Sequence, residues 1–365
     1  MAEDNSSLEG EIRRRLLSAG TLPVAQYMTL CLTHPKHGYY MKRDPFGSTG
    51  DFTTAPEISQ MFGELIGLWA CSVWRQREAP ENIRLIELGP GRGTMMLDAM
   101  RAVQIVPAFR KAVVLHLVEI SPALEQRQRQ TLAGVDVQAN WHKTLEEVPP
   151  GPSIILANEF FDSLPVQQAV MCPDGWHERV VRFDANENLQ FGTAREPMPL
   201  FEQMLPANMR HARLGDVFEW RSDQIALELG RRVDRSRGAA LVVDYGHSQS
   251  AAGDTLQAVR SHQFVDPLTA PGLADLTAHV DFQALAHAAE SMGARAHGPV
   301  EQGAFLRRLG INNRAENLKK AAPPQMVLEI DAALERLTGE SHTGMGRLFK
   351  ATGFAHPSLG PLPGF

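Results

Sequence analysis

The sequence is poor in cysteine. Its three cysteines, Cys31, Cys71 and Cys172, lie far apart, and no CxxC pair occurs. This content excludes a disulfide framework and a cysteine-based zinc site, and it is typical of a reducing compartment, so we expect a cytoplasmic protein. His34 and His37 lie on either side of a proline, and we interpret them as part of a loop. We therefore expect no metal.

Long apolar runs and an excess of positive charge are also lacking. No run approaches the roughly 20 apolar residues that cross a bilayer, so we expect no membrane insertion. The formal net charge of −6 gives no electrostatic reason to bind nucleic acid. The first residues are acidic and lack an apolar core, which is typical neither of a secretory signal nor of an organelle transit peptide.

Short apolar runs alternate with helical stretches from residue 84 onward. Runs of this kind are typical of buried parallel strands, and right-handed crossovers between them give a doubly wound α/β sheet of the Rossmann-like class. We expect strands at residues 84–88, 112–118, 135–139, 153–157, 239–243, 294–297 and 347–351. Helices are expected at 95–103, 122–132, 223–233 and 282–292, and Asp281 is the expected cap of the last one.

Two other kinds of segment surround this sheet. Residues 1–78 are predicted to form an N-terminal helical and lid segment, with helices at 8–19, 21–34 and 58–75 around an irregular stretch at 38–56. Residues 79–365 are predicted to form the main domain, interrupted by insertions at about 168–222 and 247–281. Turn signals in the first insertion predict antiparallel hairpins.

The most informative motif joins the first predicted strand to its helix, Glu87-Leu88-Gly89-Pro90-Gly91-Arg92-Gly93. Glycines let the backbone turn sharply and approach a ligand closely. A dinucleotide fingerprint requires glycine or alanine at position 94, where the chain has Thr94, and Glu87 would repel a pyrophosphate. The ammonium of an amino acid would instead be attracted. We therefore expect the methionine part of S-adenosylmethionine (SAM) at Glu87, Gly89, Gly91 and Gly93, with a plain tight turn as the alternative.

Residues after the second and third predicted strands extend this expected cofactor site. Glu119 ends the second strand, which lies beside the first in a doubly wound sheet, so its carboxylate can accept both ribose hydroxyls. We expect Ile120 to pack on the adenine and Trp141 to line the purine. The alternatives are a solvated strand end for Glu119 and a core position for Trp141.

Polar residues follow the fourth predicted strand in the segment Asn158-Glu159-Phe160-Phe161-Asp162-Ser163-Leu164-Pro165. Ligands of open α/β sheets bind at the strand ends beside the first strand, where these residues are expected. Methyl transfer from a sulfonium mainly requires a positioned acceptor. Glu159 and Asp162, with Asn158, are therefore candidate catalytic residues that hold a guanidinium or ammonium and accept a released proton. Alternatively, Asn158 and Asp162 cap the turn.

Residues 50–57, which we call the lid segment, carry two carboxylates in an irregular stretch before the first strand. Such a stretch can fold across the cofactor crevice, with Gly47 and Gly50 as hinges, although a structural loop is the alternative. The candidate lid and substrate residues are Asp51, Phe52, Thr53 and Glu57.

A histidine between two carboxylates is the last candidate. His279 lies close in sequence to Asp275 and Asp281, so we place it among the substrate-side residues as a candidate general base. A capping or turn role is the alternative.

Several motifs in the same order as in one known family accompany these residues. The chain resembles the MidA-like methyltransferases, which include a mitochondrial complex I assembly factor that methylates an arginine of a complex I core subunit. The resemblance rests on GYY at 38–40, GDFTTAPEIS at 50–59, FGE at 62–64, the glycine loop, NEFFDSLPV at 158–166, VDYG at 243–246, DLTAHVDF at 275–282 and MGRLFK at 345–350.

This resemblance implies a class I methyltransferase fold, SAM as cofactor, and an arginine of a protein partner, such as a complex I core subunit, as acceptor. Three alternatives stay open. They are a lysine or small-molecule acceptor, an assembly chaperone that binds SAM without essential catalysis, and an NAD-dependent oxidoreductase, which Glu87 and the glycine spacing disfavour. The sequence does not decide between mono- and dimethylation, and a homodimer is compatible with it.

Overall fold

The N-terminal residues fold largely as predicted. The computed structural model describes residues 7–42, 50–341 and 344–365. Helix α1 (Leu8–Ala19) ends at Gly20, whose φ of 79° suits glycine. The next elements are β1 (Leu22–Pro23), α2 (Val24–Thr33), α3 (Tyr39–Lys42), α4 (Ala55–Ile58) and α5 (Gln60–Gln76). The prediction of an irregular 38–56 is wrong at both ends, where α3 and the start of α4 lie, and the hinge Gly47 lies outside the described residues.

A mixed sheet forms the centre of the molecule. In spatial order its strands are β15 (Arg295–Glu301), β16 (Phe349–Ala355), β10 (Ala239–His247), β5 (Ser153–Asn158), β2 (Ile83–Leu88), β3 (Val113–Val118) and β4 (Ala139–His142), with the short β14 (Val280–Asp281) on β10. Strands β10, β5, β2, β3 and β4 run parallel. Strand β16 runs antiparallel to both of its neighbours. This is the α/β sheet that the sequence predicts.

One strand lies elsewhere than predicted. The apolar run at 135–139 folds as a turn, in which the Val137 N–H donates to the Val135 carbonyl. Strand β4 begins only at Ala139 and pairs with β3 so that Trp141 lies opposite Leu117. Val135 and Val137 still pack against the core, so their apolar character reflects burial rather than strand conformation.

Helices cover both faces of the sheet because alternate strand residues point to opposite sides. Leu85 and Leu156 pack into one apolar cluster with α5, whereas Ile86 and Ile155 pack into another. The covering helices are α6 (Thr94–Ala102), α7 (Pro107–Ala112), α8 (Pro122–Thr131), α10 (Gln224–Ser236) and α11 (Phe282–Ser291). Asp281 is the N-cap of α11, as predicted, and its side chain accepts from the Ala284 N–H. Within the described ranges, no helix is long and apolar enough to cross a membrane.

Three helices between β15 and β16 are not predicted from the sequence pattern. They are α12 (Gln302–Leu309), α13 (Ile311–Lys319) and α14 (Pro324–Thr338). Phe305, Ile311 and Leu337 pack into the same cluster as α5. Each helix buries only a narrow apolar stripe, and α14 starts with a proline, which makes the segment read as a loop.

The insertions form antiparallel structure, as predicted for the first of them. Its elements are β6 (Val166–Cys172), β7 (Gly175–Phe183), β8 (Leu189–Thr193), α9 (Phe201–Met204) and β9 (Val217–Arg221), and the second insertion contains β11 (Gln257–Arg260), β12 (Gln263–Val265) and β13 (Asp275–Thr277). The N-terminal β1 pairs with β7, and Ile12 and Tyr27 share an apolar cluster with Val181. The division of the chain near residue 79 stays a prediction.

Two glycines let α5 lie close against α6. A Cβ on Gly67 would lie 2.7 Å from the Ala99 Cα and carbonyl oxygen, and one on Gly63 would lie 2.7 Å from the Asp98 Cβ. We expect Gly67→Ala to lower the free energy of unfolding. The clash with backbone costs about 1–3 kcal/mol, which outweighs the roughly 1 kcal/mol that alanine gains in helix propensity. Urea denaturation measures the change.

The matched control is Gly134→Ala, because nothing lies within 4 Å of a Cβ built there. We expect this change to stay within about 0.5 kcal/mol of the wild type. A Gly67→Ala variant as stable as Gly134→Ala would contradict the close packing of α5 on α6.

Candidate active site

A cavity of about 400 Å³ lies at the carboxyl ends of the parallel strands. Its wall includes the residues just after β2, β3 and β5, together with the lid segment and part of the second insertion. Among the predicted site residues, the lining contains Glu57, Phe52, Thr53, Glu87, Gly89, Gly91, Glu119, Ile120, Asn158, Glu159, Asp162 and His279. The fold therefore brings together residues that are up to about two hundred positions apart in sequence.

The glycine loop turns as the motif indicates. Gly89, Gly91 and Gly93 have φ values of 59°, 55° and 82°, in the left-handed region that glycine adopts without strain. A Cβ on Gly89 would lie 2.7 Å from a ring carbon of Phe160, so the loop also needs glycine for space. Gly93 immediately precedes α6 and packs against Gln128 rather than lining the cavity.

Glu87 presents an unused acceptor to the cavity. Its side chain is 3% exposed, and Oε2 has no hydrogen-bond partner among the described residues. Burial raises the pKa of Glu87 to about 8. A ligand ammonium at this position would supply both the missing hydrogen bond and the missing charge. The residues of the loop therefore fit the amino-acid end of SAM.

Glu119 is held by two donors. The Ser121 N–H and the Gln128 Nε2 donate to its carboxylate at 2.7 and 3.0 Å, and burial raises its pKa to about 7. Gln128 Nε2 also donates to the Gly91 carbonyl at 2.9 Å, so this one amide ties the glycine loop to Glu119. Gln128 was not expected from the sequence, because a single glutamine on an amphipathic helix gives no signal.

Trp141 lies behind this site rather than in it. It is absent from the cavity lining, and its indole Nε1 donates to Gln128 Oε1 at 3.0 Å. The Arg129 guanidinium lies 3.9 Å from the centre of its ring. Because β4 begins later than expected, Trp141 lies within the strand and positions Gln128. Its predicted contact with a purine is wrong for this geometry. Ile120 does reach the cavity and is 45% exposed.

The segment after β5 contributes an acidic wall. Glu159 has a φ of 49°, and its Oε1 accepts from the Ala55 N–H at 2.8 Å and from Asn158 Nδ2 at 3.1 Å. Desolvation in the cavity and the nearby Asp162 raise the pKa of Glu159 to about 8. Burial also raises the pKa of Asp162. Asp162 Oδ1 and Asn158 Oδ1 lack partners within the described part of the chain.

A neighbouring carboxylate, rather than Asn158 or Asp162, accepts the first amides of this turn. The amides of residues 160–162 donate to the carboxylate of Asp244, at the end of the neighbouring strand. The side chains of Asn158 and Asp162 are thereby left to face the cavity.

Two further residues join this wall. The Tyr40 hydroxyl donates to Asp275 Oδ1 at 2.7 Å, and both residues line the cavity. Burial, with Asp162 nearby, raises the pKa of Asp275 to about 8. The predicted neighbours of His279 therefore have other roles, because Asp275 bonds to Tyr40 and Asp281 caps α11. Burial lowers the pKa of His279, whose ring lies edge-on to Tyr245 at 5.6 Å.

The lid segment contacts both halves of the cavity. Glu57 accepts from Thr94 Oγ1 at 2.5 Å and from Arg92 Nη1 at 3.3 Å, next to the glycine loop. Two residues earlier, the Ala55 N–H reaches Glu159. Asp51 is not part of the lining. It accepts from the Tyr39 hydroxyl and the Ser261 N–H at 2.7 and 2.8 Å, so it attaches the segment to the second insertion.

Comparison with known proteins identifies relatives over the whole chain. The model of a family described as S-adenosyl-L-methionine-dependent methyltransferases matches residues 65–300. The mitochondrial protein arginine methyltransferase NDUFAF7 homolog of Drosophila melanogaster is 37% identical over 397 residues, covering 99% of this chain and 89% of the relative. Its Homo sapiens counterpart, protein arginine methyltransferase NDUFAF7, mitochondrial, is 38% identical over 330 residues, covering 83% and 73%.

A solved structure is similar over nearly the full length. A protein from Burkholderia thailandensis, crystallised with S-adenosyl-homocysteine, has a TM-score of 0.84 and 27% identity, covering 98% of this chain and 93% of that one. The predicted Rossmann-like fold and the predicted cofactor, SAM, are thereby confirmed.

The predicted cytoplasmic location is contradicted by these relatives, because the curated ones carry mitochondrial names. The prediction relied on the low cysteine content. That content separates oxidising from reducing compartments but does not distinguish one reducing compartment from another.

The raised pKa of Glu87 makes cofactor binding dependent on pH. Below about pH 8 this carboxyl is mostly protonated, and an ammonium ligand binds best to the carboxylate. We expect ionisation of Glu87 to raise the affinity for S-adenosyl-homocysteine between about pH 6 and pH 8 by at most about tenfold per pH unit, in addition to any rise from ionisation of Glu119, whose pKa is about 7. Isothermal titration calorimetry measures this slope, which Glu87→Gln should reduce.

5′-Methylthioadenosine is the control ligand, because it keeps the nucleoside and the sulfur but has no ammonium. Its pH dependence reports Glu119 alone and should be unchanged by Glu87→Gln. Equal slopes for the two ligands in the wild type would argue against an ammonium at Glu87.

Proposed function

Because the chain belongs to this family of S-adenosyl-L-methionine-dependent methyltransferases, we propose that it methylates an arginine side chain of a protein partner. The observation that carries the proposal is the acidic wall of the cavity. Glu159, Asp162 and Asp275 lie there together, with raised pKa values and an acceptor atom of Asp162 left over. Such a wall is suited to a cationic acceptor.

The charge balance of this wall favours a guanidinium. Desolvated carboxyls keep their protons until a cation arrives, and an entering cation restores their ionised forms. A guanidinium has five donors in a planar fork, so it can bond to Glu159 and Asp162 at the same time, whereas a lysine ammonium offers a single point of charge. The names of the curated relatives, protein arginine methyltransferases, support the same choice.

The acidic residues can orient the acceptor and take its proton. When bound, SAM supplies a methyl group on an electrophilic sulfonium. Glu159 and Asp162 would hold the guanidinium through its N–H groups, and the nitrogen that faces the methyl group would donate one of its N–H bonds to Glu159. As the new carbon–nitrogen bond forms and the sulfur–carbon bond breaks, the methylated nitrogen loses a proton. Glu159, whose pKa is near 8, is suited to accept it.

The remaining predicted residues fit roles around these two. We assign the cofactor to Glu87, Gly89, Gly91, Glu119 and Ile120, with Gly93 shaping the turn before α6 and Trp141 acting through Gln128. In the lid segment, Phe52, Thr53 and Glu57 would close the cavity, and Asp51 would anchor the segment. His279 and Asn158 would complete the acceptor side.

The resemblance to the MidA-like family nominates a complex I core subunit as the partner. The alternative function, an assembly chaperone, requires SAM binding but no methyl transfer. A chaperone would have no need for the acidic wall, which lies apart from the cofactor residues Glu87 and Glu119. A NAD-dependent oxidoreductase is not supported by the family or by Glu87.

The test of the acceptor is the double variant Glu159→Gln/Asp162→Asn. We expect it to lower methylation of an arginine acceptor by at least about a hundredfold, because both charge-assisted bonds are lost. Affinity for SAM should stay within a few fold, since Glu87 and Glu119 are unchanged. Mass spectrometry of the acceptor and calorimetry with SAM measure the two quantities. Full activity of the double variant would contradict the proposal.

The partner is tested by mass spectrometry of complex I subunits from cells with and without the gene. Loss of a methylated arginine in the cells without the gene supports a complex I core subunit as the partner. Complementation with the double variant then separates the two classes of function, because restored complex I maturation without the methylated arginine would favour the chaperone.

A further inference from the structure

The turn that carries Glu159 and Asp162 has an unusual backbone. Glu159 has a φ of 49°, which non-glycine residues adopt only when their surroundings impose it. The Glu159 N–H donates to the Val243 carbonyl at 2.9 Å, so β5 and β10 stay paired up to the start of the turn. Beyond Glu159 this strand pairing ends, so other hydrogen bonds must hold the turn.

Asp244 accepts these hydrogen bonds. Its Oδ2 accepts from the amides of Phe160, Phe161 and Asp162 at 3.2, 2.9 and 3.2 Å. Its Oδ1 accepts from the Tyr245 N–H at 2.9 Å, so both oxygens are used. The side chain is fully buried and is absent from the cavity lining. Asp244 therefore acts on the site through the turn and not by touching a ligand.

A cation holds the same turn from its other end. Arg221 Nη2 donates to the Asp162 carbonyl at 3.1 Å and Nε donates to the Leu164 carbonyl at 3.2 Å. Its guanidinium also bonds the carbonyls of Ala278 and His279, which belong to the opposite wall. The amides of the turn thus face an anion and its carbonyls face a cation, an arrangement that fixes the direction of the whole peptide segment.

We propose that Asp244 is a positioning residue for methyl transfer, which holds Glu159 and Asp162 at the acceptor by gathering the three amides between them. The proposal rests on the acidic wall as the acceptor site. Through these hydrogen bonds one turn keeps both carboxylates at the cavity, with Glu159 held at its positive φ. The cofactor residues Glu87 and Glu119 lie on other strands and do not depend on Asp244.

The test compares Asp244→Ala with Asp244→Asn. Alanine leaves the amides without an acceptor, whereas the asparagine oxygen can still receive them. For Asp244→Ala we expect kcat with an arginine acceptor to fall about a hundredfold, as small misplacements of reacting groups do, with the affinity for S-adenosyl-homocysteine within about threefold. Asp244→Asn should recover part of the loss, because its amide oxygen can take the place of Oδ2, whereas its Nδ2 cannot accept from the Tyr245 N–H. Calorimetric stoichiometry reports the folded fraction of each variant.

Asp184→Ala is the matched control, because the Asp184 carboxylate likewise accepts backbone amides, from Asn186 and Asn188 at 2.8 Å each, in a hairpin turn. We expect its kcat to stay within about twofold of the wild type. The proposal is overturned if Asp244→Ala keeps its kcat, or if affinity for S-adenosyl-homocysteine falls as far as kcat.

Hydrogen exchange separates this proposal from the proposed function. A wild type that methylates no arginine acceptor would refute the proposed function. Exchange at residues 160–162, measured by mass spectrometry, would then still decide the role of Asp244. Faster exchange at residues 160–162 in Asp244→Ala, with exchange in β2 and β5 unchanged, supports the positioning role of Asp244. Unchanged exchange at residues 160–162 refutes it.

Discussion

The burial of carboxyl groups in one crevice is the constraint on which the site depends. Glu87, Glu119, Asp162 and Asp275 are each less than a tenth exposed, and Glu159 is desolvated in the same cavity. Their raised pKa values mean that the folded chain holds them partly as neutral acids. A cationic ligand offsets the free-energy cost of ionising these buried carboxyls. The chain therefore encloses a site that becomes electrostatically complete only when a positively charged cofactor and acceptor are present.

The scaffold keeps these groups apart in two sets. Glu87 lies near the end of one strand and Glu119 follows the adjacent one, and Gln128 ties Glu119 to the Gly91 carbonyl of the glycine loop. The turn that carries Glu159 and Asp162 follows β5 and is held by Asp244. The lid segment spans the two sets, since Glu57 bonds to Thr94 and the Ala55 amide bonds to Glu159. Three consecutive positions, 55–57, thus connect the cofactor loop with the acceptor wall.

Much of this arrangement is predictable from the sequence. Apolar runs identify the strands, and because parallel strands end at one edge, Glu87, Glu119 and Glu159 can be placed in one crevice without coordinates. The glycine spacing and the acid before it indicate SAM rather than a dinucleotide. The capping role of Asp281 is also predictable, because it depends only on the residue's position just before α11. Each of these features depends on contacts within a few residues or on the order of strands.

Features that depend on distant contacts are not predictable in this way. The helices α12–α14 bury narrow stripes that only the folded sheet explains. Trp141 lies outside the cavity because the strand that carries it starts later than predicted, at Ala139. The apolar pattern of residues 135–139 does not reveal this later start. Asp51 looks like a ligand residue in sequence, and Asp244 has no predicted role there. Their partners, the Ser261 amide and the amides of 160–162, are known only from the fold.

A crystal structure with S-adenosyl-homocysteine and an arginine-containing acceptor peptide tests the central claim most directly. We expect the ligand ammonium at hydrogen-bond distance from Glu87 Oε2 and the guanidinium against Glu159 and Asp162. An ammonium bound away from Glu87, or an arginine that stays outside the acidic wall, would contradict it.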